Sequence, residues 1–99
     1  MGIKSRSSAG GAQYGLSVTS AAVVTLTVPN AGNVAQIYVR TAPVTFTRDG
    51  TNPTATLGTQ ANAGEDIPLN SRDELDKFKV IAVSATATLD VEYFTDISG

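Results

Sequence analysis

Residues 34–40, Val34-Ala35-Gln36-Ile37-Tyr38-Val39-Arg40, and residues 86–94, Thr86-Ala87-Thr88-Leu89-Asp90-Val91-Glu92-Tyr93-Phe94, alternate apolar and polar side chains with a period of two. Successive side chains of an extended strand point to opposite faces, so this pattern gives each segment one face for a core and one for solvent. Ala35, Ile37 and Val39 fall on one side of the first segment, with Gln36, Tyr38 and Arg40 on the other. In the second, Leu89, Val91 and Tyr93 oppose Thr88, Asp90 and Glu92.

The same period extends outward in both directions. Leu16 and Val18 lie two apart, and Val24, Leu26 and Val28 oppose Thr25 and Thr27, which predicts a half-buried strand pair. A turn cluster follows at residues 29–33, Pro-Asn-Ala-Gly-Asn. Beyond Pro43, Val44 and Phe46 point inward along a strand that stops at Asp49-Gly50, and Thr51-Asn52-Pro53 favours a longer loop there over a two-residue turn. Pro53 keeps the next stretch at an edge or a strand start. A short strand is expected at residues 55–57, another at Ile67 and Leu69, and a nearly continuous apolar one at residues 79–84, covered on both faces.

One helical signal interrupts the series. Ser71-Arg72-Asp73-Glu74 has the spacing of a capping box, and Leu75 and Phe78 lie three apart on one side of a short turn. A helix or 3₁₀ segment is predicted over residues 71–77.

Seven or eight short strands at spacings near ten residues, punctuated by Gly, Pro and Asn, define an all-β chain: a compact antiparallel β-sandwich, jelly-roll or Ig-like, with one short helical turn. The missing Cys and Trp weigh against a true immunoglobulin domain. Residues 1–15 show no period and are rich in Ser and Gly, so they are read as a flexible N-terminal arm, and residues 16–99 as a single sandwich domain.

Composition excludes most chemistry. The chain has no His and no Cys, which removes Ser-His-Asp and Cys-His catalysis, thiolate chemistry and the common transition-metal sites. Neither a cofactor nor a metal is expected. Paired carboxylates at Glu65-Asp66 and at Asp73, Glu74 and Asp76 lack the aromatic-lined cleft that glycoside hydrolysis needs, and they suit a solvated turn and the first turn of a helix. Asp49, Gly50 and Asn52 have too few further acids for an EF-hand and are read as a turn. Gly10-Gly11 follows no strand and precedes no Gly-Lys-Ser/Thr, so it is no phosphate loop. The chain is not expected to be an enzyme.

The net charge of −2 conceals a division. Lys4, Arg6, Arg40 and Arg48 stand alone before Asp49 and give +4, whereas the remainder sums to −6. These cations are sparse and the pI is 4.8, so nucleic acid is not an expected partner. No apolar run approaches the length of a membrane span, and no hydrophobic stretch follows Lys4 and Arg6 to make a secretory signal. Arg40 and Arg48 end neighbouring strands; they pair either with Glu65-Asp66 or Asp90 across a sheet, or with the carboxylates of a partner. Tyr14, an aromatic behind a Gly/Ser-rich leader, is read as docking either on its own domain or on a neighbouring subunit. Lys4, Arg6, Tyr14, Arg40 and Arg48 are therefore the candidate partner-interface residues.

Residues 42–69, with Arg48-Asp49-Gly50-Thr51-Asn52-Pro53-Thr54 as their most distinctive piece, and residues 73–94 resemble small bacteriophage and prophage virion accessory proteins. The resemblance implies a structural subunit of the virion, foremost a head decoration or cement protein that binds and stiffens the capsid lattice. A neck, tail or fibre-attachment component is the alternative within that class, and a carbohydrate-binding module of jelly-roll type is the alternative outside it. The implied partners are the major capsid protein or other virion proteins and further copies of the chain, with the virion, assembled in the host cytoplasm, as the location. Symmetric particles favour a homo-oligomer.

Overall fold

The computed structural model describes residues 6–29 and 33–96. These form strands β1 (Arg6–Val18), β2 (Val24–Thr25), β3 (Val34–Arg40), β4 (Val44–Thr47), β5 (Thr59–Ala61) and β6 (Asp66–Leu69), helix α1 (Arg72–Lys77), and strands β7 (Lys79–Ala82) and β8 (Ala87–Asp96). Two four-stranded antiparallel sheets result, in the orders β1-β8-β3-β6 and β2-β7-β4-β5.

The hydrogen-bonded pairs nest: first strand with last, second with seventh, third with sixth, fourth with fifth. Such nesting is the wrapping of a jelly roll. In an Ig-like sandwich the first two strands pair within one sheet, whereas here β1 and β2 lie in different sheets. Strand order thus resolves the choice that the sequence leaves open.

The alternating side chains meet between the sheets. Ile37, Val39, Ile67, Leu69, Leu89 and Val91 of the first sheet are buried against Val44, Phe46, Val80 and Ala82 of the second. Each large aliphatic side chain contributes roughly 1.5–3 kcal/mol by leaving water. Helix α1 closes one end with Leu75, and Phe78 just beyond it packs on Phe46 at 5.7 Å between ring centroids. Ser71 caps the helix by accepting the Glu74 N–H at 3.2 Å. Glu74 Oε1 returns a bond to the N–H of Asn70 at 2.9 Å, one residue before the cap.

Four sequence expectations are corrected. Strand β1 begins at Arg6 and pairs with β8, so the boundary after residue 15 does not separate a flexible arm from the body. Ser, Gly and Ala have little strand preference of their own, and the ladder offered by β8 supplies what local sequence lacks. The strand expected at residues 55–57 lies instead at Thr59–Ala61, because Thr54 Oγ1 accepts the N–H of Thr56 and Leu57 and folds that stretch into a turn. Leu26 and Val28 are partly buried but stand outside β2, which holds two residues. Strand β7 is not covered equally on both faces: Val80 and Ala82 are buried while Lys79 and Ile81 are half-buried. The expected turn at residues 29–33 falls largely outside the described residues.

All four sheet edges carry features that discourage edge-to-edge pairing. Strands β2 and β5 are only two and three residues long, and β6 contains Pro68. Strand β1 is long, but its register with β8 breaks around Gly11 and Gly15, both at positive φ.

Candidate functional site

The outer faces of the two sheets differ. That of the second sheet is roofed by the loop between β4 and β5. Thr45 Oγ1 donates to Ala55 O at 3.3 Å, Lys79 Nζ donates to Asn52 Oδ1 at 2.9 Å, and Pro53 is buried. Gly58 presses onto the sheet so closely that a Cβ there would stand 2.7 Å from Thr45 Cγ2. Asp49 holds this loop's first turn by accepting the Thr51 N–H at 3.0 Å. That backbone bond is the main reason its carboxyl sits below the usual carboxylate range.

The outer face of the first sheet carries instead the polar positions of its own strands. Register places Tyr38 of β3 between Asp66 of β6 and Asp90 of β8, and Gln36 opposite Glu92. Tyr14 of β1 reaches across to donate its hydroxyl to Glu92 Oε2 at 3.0 Å. Arg40 Nη1 donates to Asp90 Oδ2 at 2.8 Å, and Gln36 Nε2 donates to Asp66 Oδ2. The backbone bulge at Gly15, with φ +71°, turns its N–H to Asp90 Oδ1 at 2.9 Å. A side chain at this φ would be strained, which is why glycine serves here.

Electrostatics follow these contacts. The Gly15 N–H and then the Arg40 guanidinium stabilise the ionised Asp90 carboxyl and hold it below its ordinary range. Glu92 accepts a hydrogen bond from the neutral Tyr14 hydroxyl and repels the phenolate, so the Tyr14 hydroxyl titrates above the ordinary tyrosine value. Tyr14 is 67% exposed and Tyr38 45%, large for aromatic side chains, while Tyr93 on the inner face is 1% exposed. Tyr93 donates to Gln13 Oε1, which also accepts the Thr27 N–H at 3.1 Å, and burial pushes its phenol up to about 12.

Two of the five residues expected at a partner interface, Tyr14 and Arg40, thus share one face. Arg40 also makes the intramolecular pair with Asp90 that the sequence allows. Arg48 stands elsewhere: its guanidinium lies 5.0 Å over the Phe46 ring and donates to Pro68 O at 3.2 Å, strapping β4 to β6. Lys4 and the side chain of Arg6 lie outside the described residues. Tyr38 is a further exposed residue of this face beyond those five, and its outward place in the alternation of residues 34–40 is the sequence signal for it.

The paired carboxylates have structural employment. Glu65 Oε1 accepts the Asn62 N–H at 2.6 Å within its turn. On α1, Asp73 pairs with Lys77 at 3.4 Å and Asp76 with Arg72 at 3.1 Å.

These features define an all-β jelly-roll sandwich with one roofed and one polar, tyrosine-bearing face. Comparison of the chain with protein-family models, curated proteins and solved structures finds no match.

Proposed function

We propose that the protein is a structural subunit of a bacteriophage virion, foremost a head decoration or cement protein that binds the capsid lattice. The supporting observation is the outer face of the first sheet, where Tyr14, Tyr38 and Arg40 stand exposed together. Tyr and Arg are the residue types enriched where protein interfaces carry their binding energy. Jelly rolls serve in viral capsid domains, and the Arg48–Thr54 loop supplies the likeness to virion accessory proteins. With every sheet edge blunted, docking through a face is favoured over strand addition. Many modest contacts repeated over a lattice would hold such a subunit by avidity.

Mass spectrometry of purified particles tests the reading. The chain is expected among the virion proteins, at a copy number that follows the capsid lattice. A few copies per particle would favour the neck, tail or fibre-attachment role, and absence from particles would reject both. A carbohydrate-binding module is a second reading, favoured by the same two exposed tyrosines, since jelly rolls also serve as lectins. Binding of the isolated chain to a glycan array would support it.

A further inference from the structure

We infer that the outer face of the first sheet docks an arginine-bearing segment of a protein partner, with Tyr14 and Tyr38 receiving the guanidinium groups and Glu92 and Asp66 pairing with them. The inference rests on the partner-binding role proposed for that face and specifies the chemistry of what it meets.

Charge is the first reason. Among the described side chains, Asp66, Asp90, Glu92 and Arg40 leave the face with a formal charge of −2. Arg40 is already matched to Asp90 at 2.8 Å, whereas Glu92 and Asp66 are met by neutral donors, the Tyr14 hydroxyl and the Gln36 amide. An incoming cation gains attraction that those neutral donors do not provide, while an incoming anion meets net repulsion.

The second reason is the aromatic pair. Tyr38 stands between two carboxylates, and Tyr14 is tethered at its hydroxyl to a third with its ring exposed. A planar guanidinium stacks on such a ring and reaches a neighbouring carboxylate with two parallel N–H donors. A compact ammonium cannot stack in this way, so arginine is preferred over lysine. The tether also holds Tyr14 in place before binding and reduces the entropy lost on contact.

The acids of α1 provide an internal comparison. Asp73, Glu74 and Asp76 are likewise three carboxylates, but no aromatic stands within the helix, Arg72 and Lys77 bring it to −1, and two of the three acids are paired with these cations.

The test is an NMR titration of the ¹⁵N-labelled full chain with a hexa-arginine peptide, with hexa-lysine as comparator. Expected are amide shifts centred on residues 14, 38, 90 and 92, tighter binding of hexa-arginine than of hexa-lysine, and weakening with salt. The double variant Tyr14→Ala, Tyr38→Ala should lose about tenfold in affinity, and Tyr14→Phe, Tyr38→Phe should keep most of it because the rings remain. Shifts spread equally to α1, no shift at all, or unchanged binding by the alanine pair would overturn the inference. Presence of the chain in particles without peptide binding would reject this inference alone. Peptide binding with absence from particles would support the docking chemistry and reject the virion role.

Discussion

The hydroxyl of Tyr14 on β1 donates to the carboxylate of Glu92 on β8 across 3.0 Å and 78 positions of sequence. The bond stabilises the neutral phenol, and the nearby negative charge disfavours the phenolate. Replacing Glu92 by Gln is therefore expected to bring the Tyr14 titration down toward its ordinary value of 10.0. Following the Tyr14 ring resonances against pH in both proteins checks this, and an unchanged midpoint would mean that the contact is not populated in solution.

Asp90 responds at the acid end. Its folded carboxyl is depressed by the Gly15 N–H and by Arg40, so its contribution is present above the ordinary Asp value of 3.8 and is lost as pH falls through the lower folded value. Asp90→Asn should flatten the fall in stability between those two values, as measured by urea denaturation across the acid range. Because the Arg40 guanidinium that faces it is 65% exposed, the effect should be small.

Tyr93 responds at the alkaline end. Its phenol is pushed up to about 12 by burial against an unfolded value near 10, so its stabilising effect is complete below about pH 10 and disappears as pH rises through about 12. Tyr93→Phe should cost about 1 kcal/mol at neutral pH through the lost bond to Gln13, and it should weaken the dependence of stability on pH in that window. Denaturant midpoints recorded at neutral and alkaline pH distinguish the two effects.

Two glycines separate backbone strain from steric conflict. Gly50, at φ +88°, has open space where a Cβ would stand, so Gly50→Ala should cost only about 1–2 kcal/mol for its conformation. Gly58 has φ +126°, and a Cβ there meets Thr45 Cγ2 at 2.7 Å and the Phe46 carbonyl oxygen at 2.8 Å. Gly58→Ala should cost about 3 kcal/mol or more, and it should lift the loop from the sheet. Thermal unfolding of both variants should rank them in that order.

The helix cap offers a local check. Ser71→Ala removes the acceptor for the Glu74 N–H and should destabilise the protein by about 1 kcal/mol. Arg40→Ala should cost less than about 1 kcal/mol, since its guanidinium is largely solvated. A Ser71→Ala variant as stable as the parent protein by chemical denaturation would mean that the cap carries no weight.

Local sequence was sufficient wherever periodicity or capping chemistry decided the outcome. The alternation of residues 34–40 and 86–94 specified the inward faces of Ala35, Ile37, Val39, Leu89, Val91 and Tyr93, because the two-residue period of a strand leaves each side chain one of two faces, although Val34 and Gln36 on the opposite face are buried as well. The Ser71–Glu74 spacing located the start of α1, because a cap is completed within one helical turn. Tertiary structure alone decided that Ser- and Gly-rich residues from Arg6 onward form β1, since their pairing partner lies some eighty positions away on β8. It also decided the jelly-roll order over the Ig-like one, and the different fates of Arg40, paired on an open face, and Arg48, laid over Phe46. Alternation states which way a side chain points but not which strand lies beside it; long-range pairing chooses the neighbour, and with it the make-up of every exposed face.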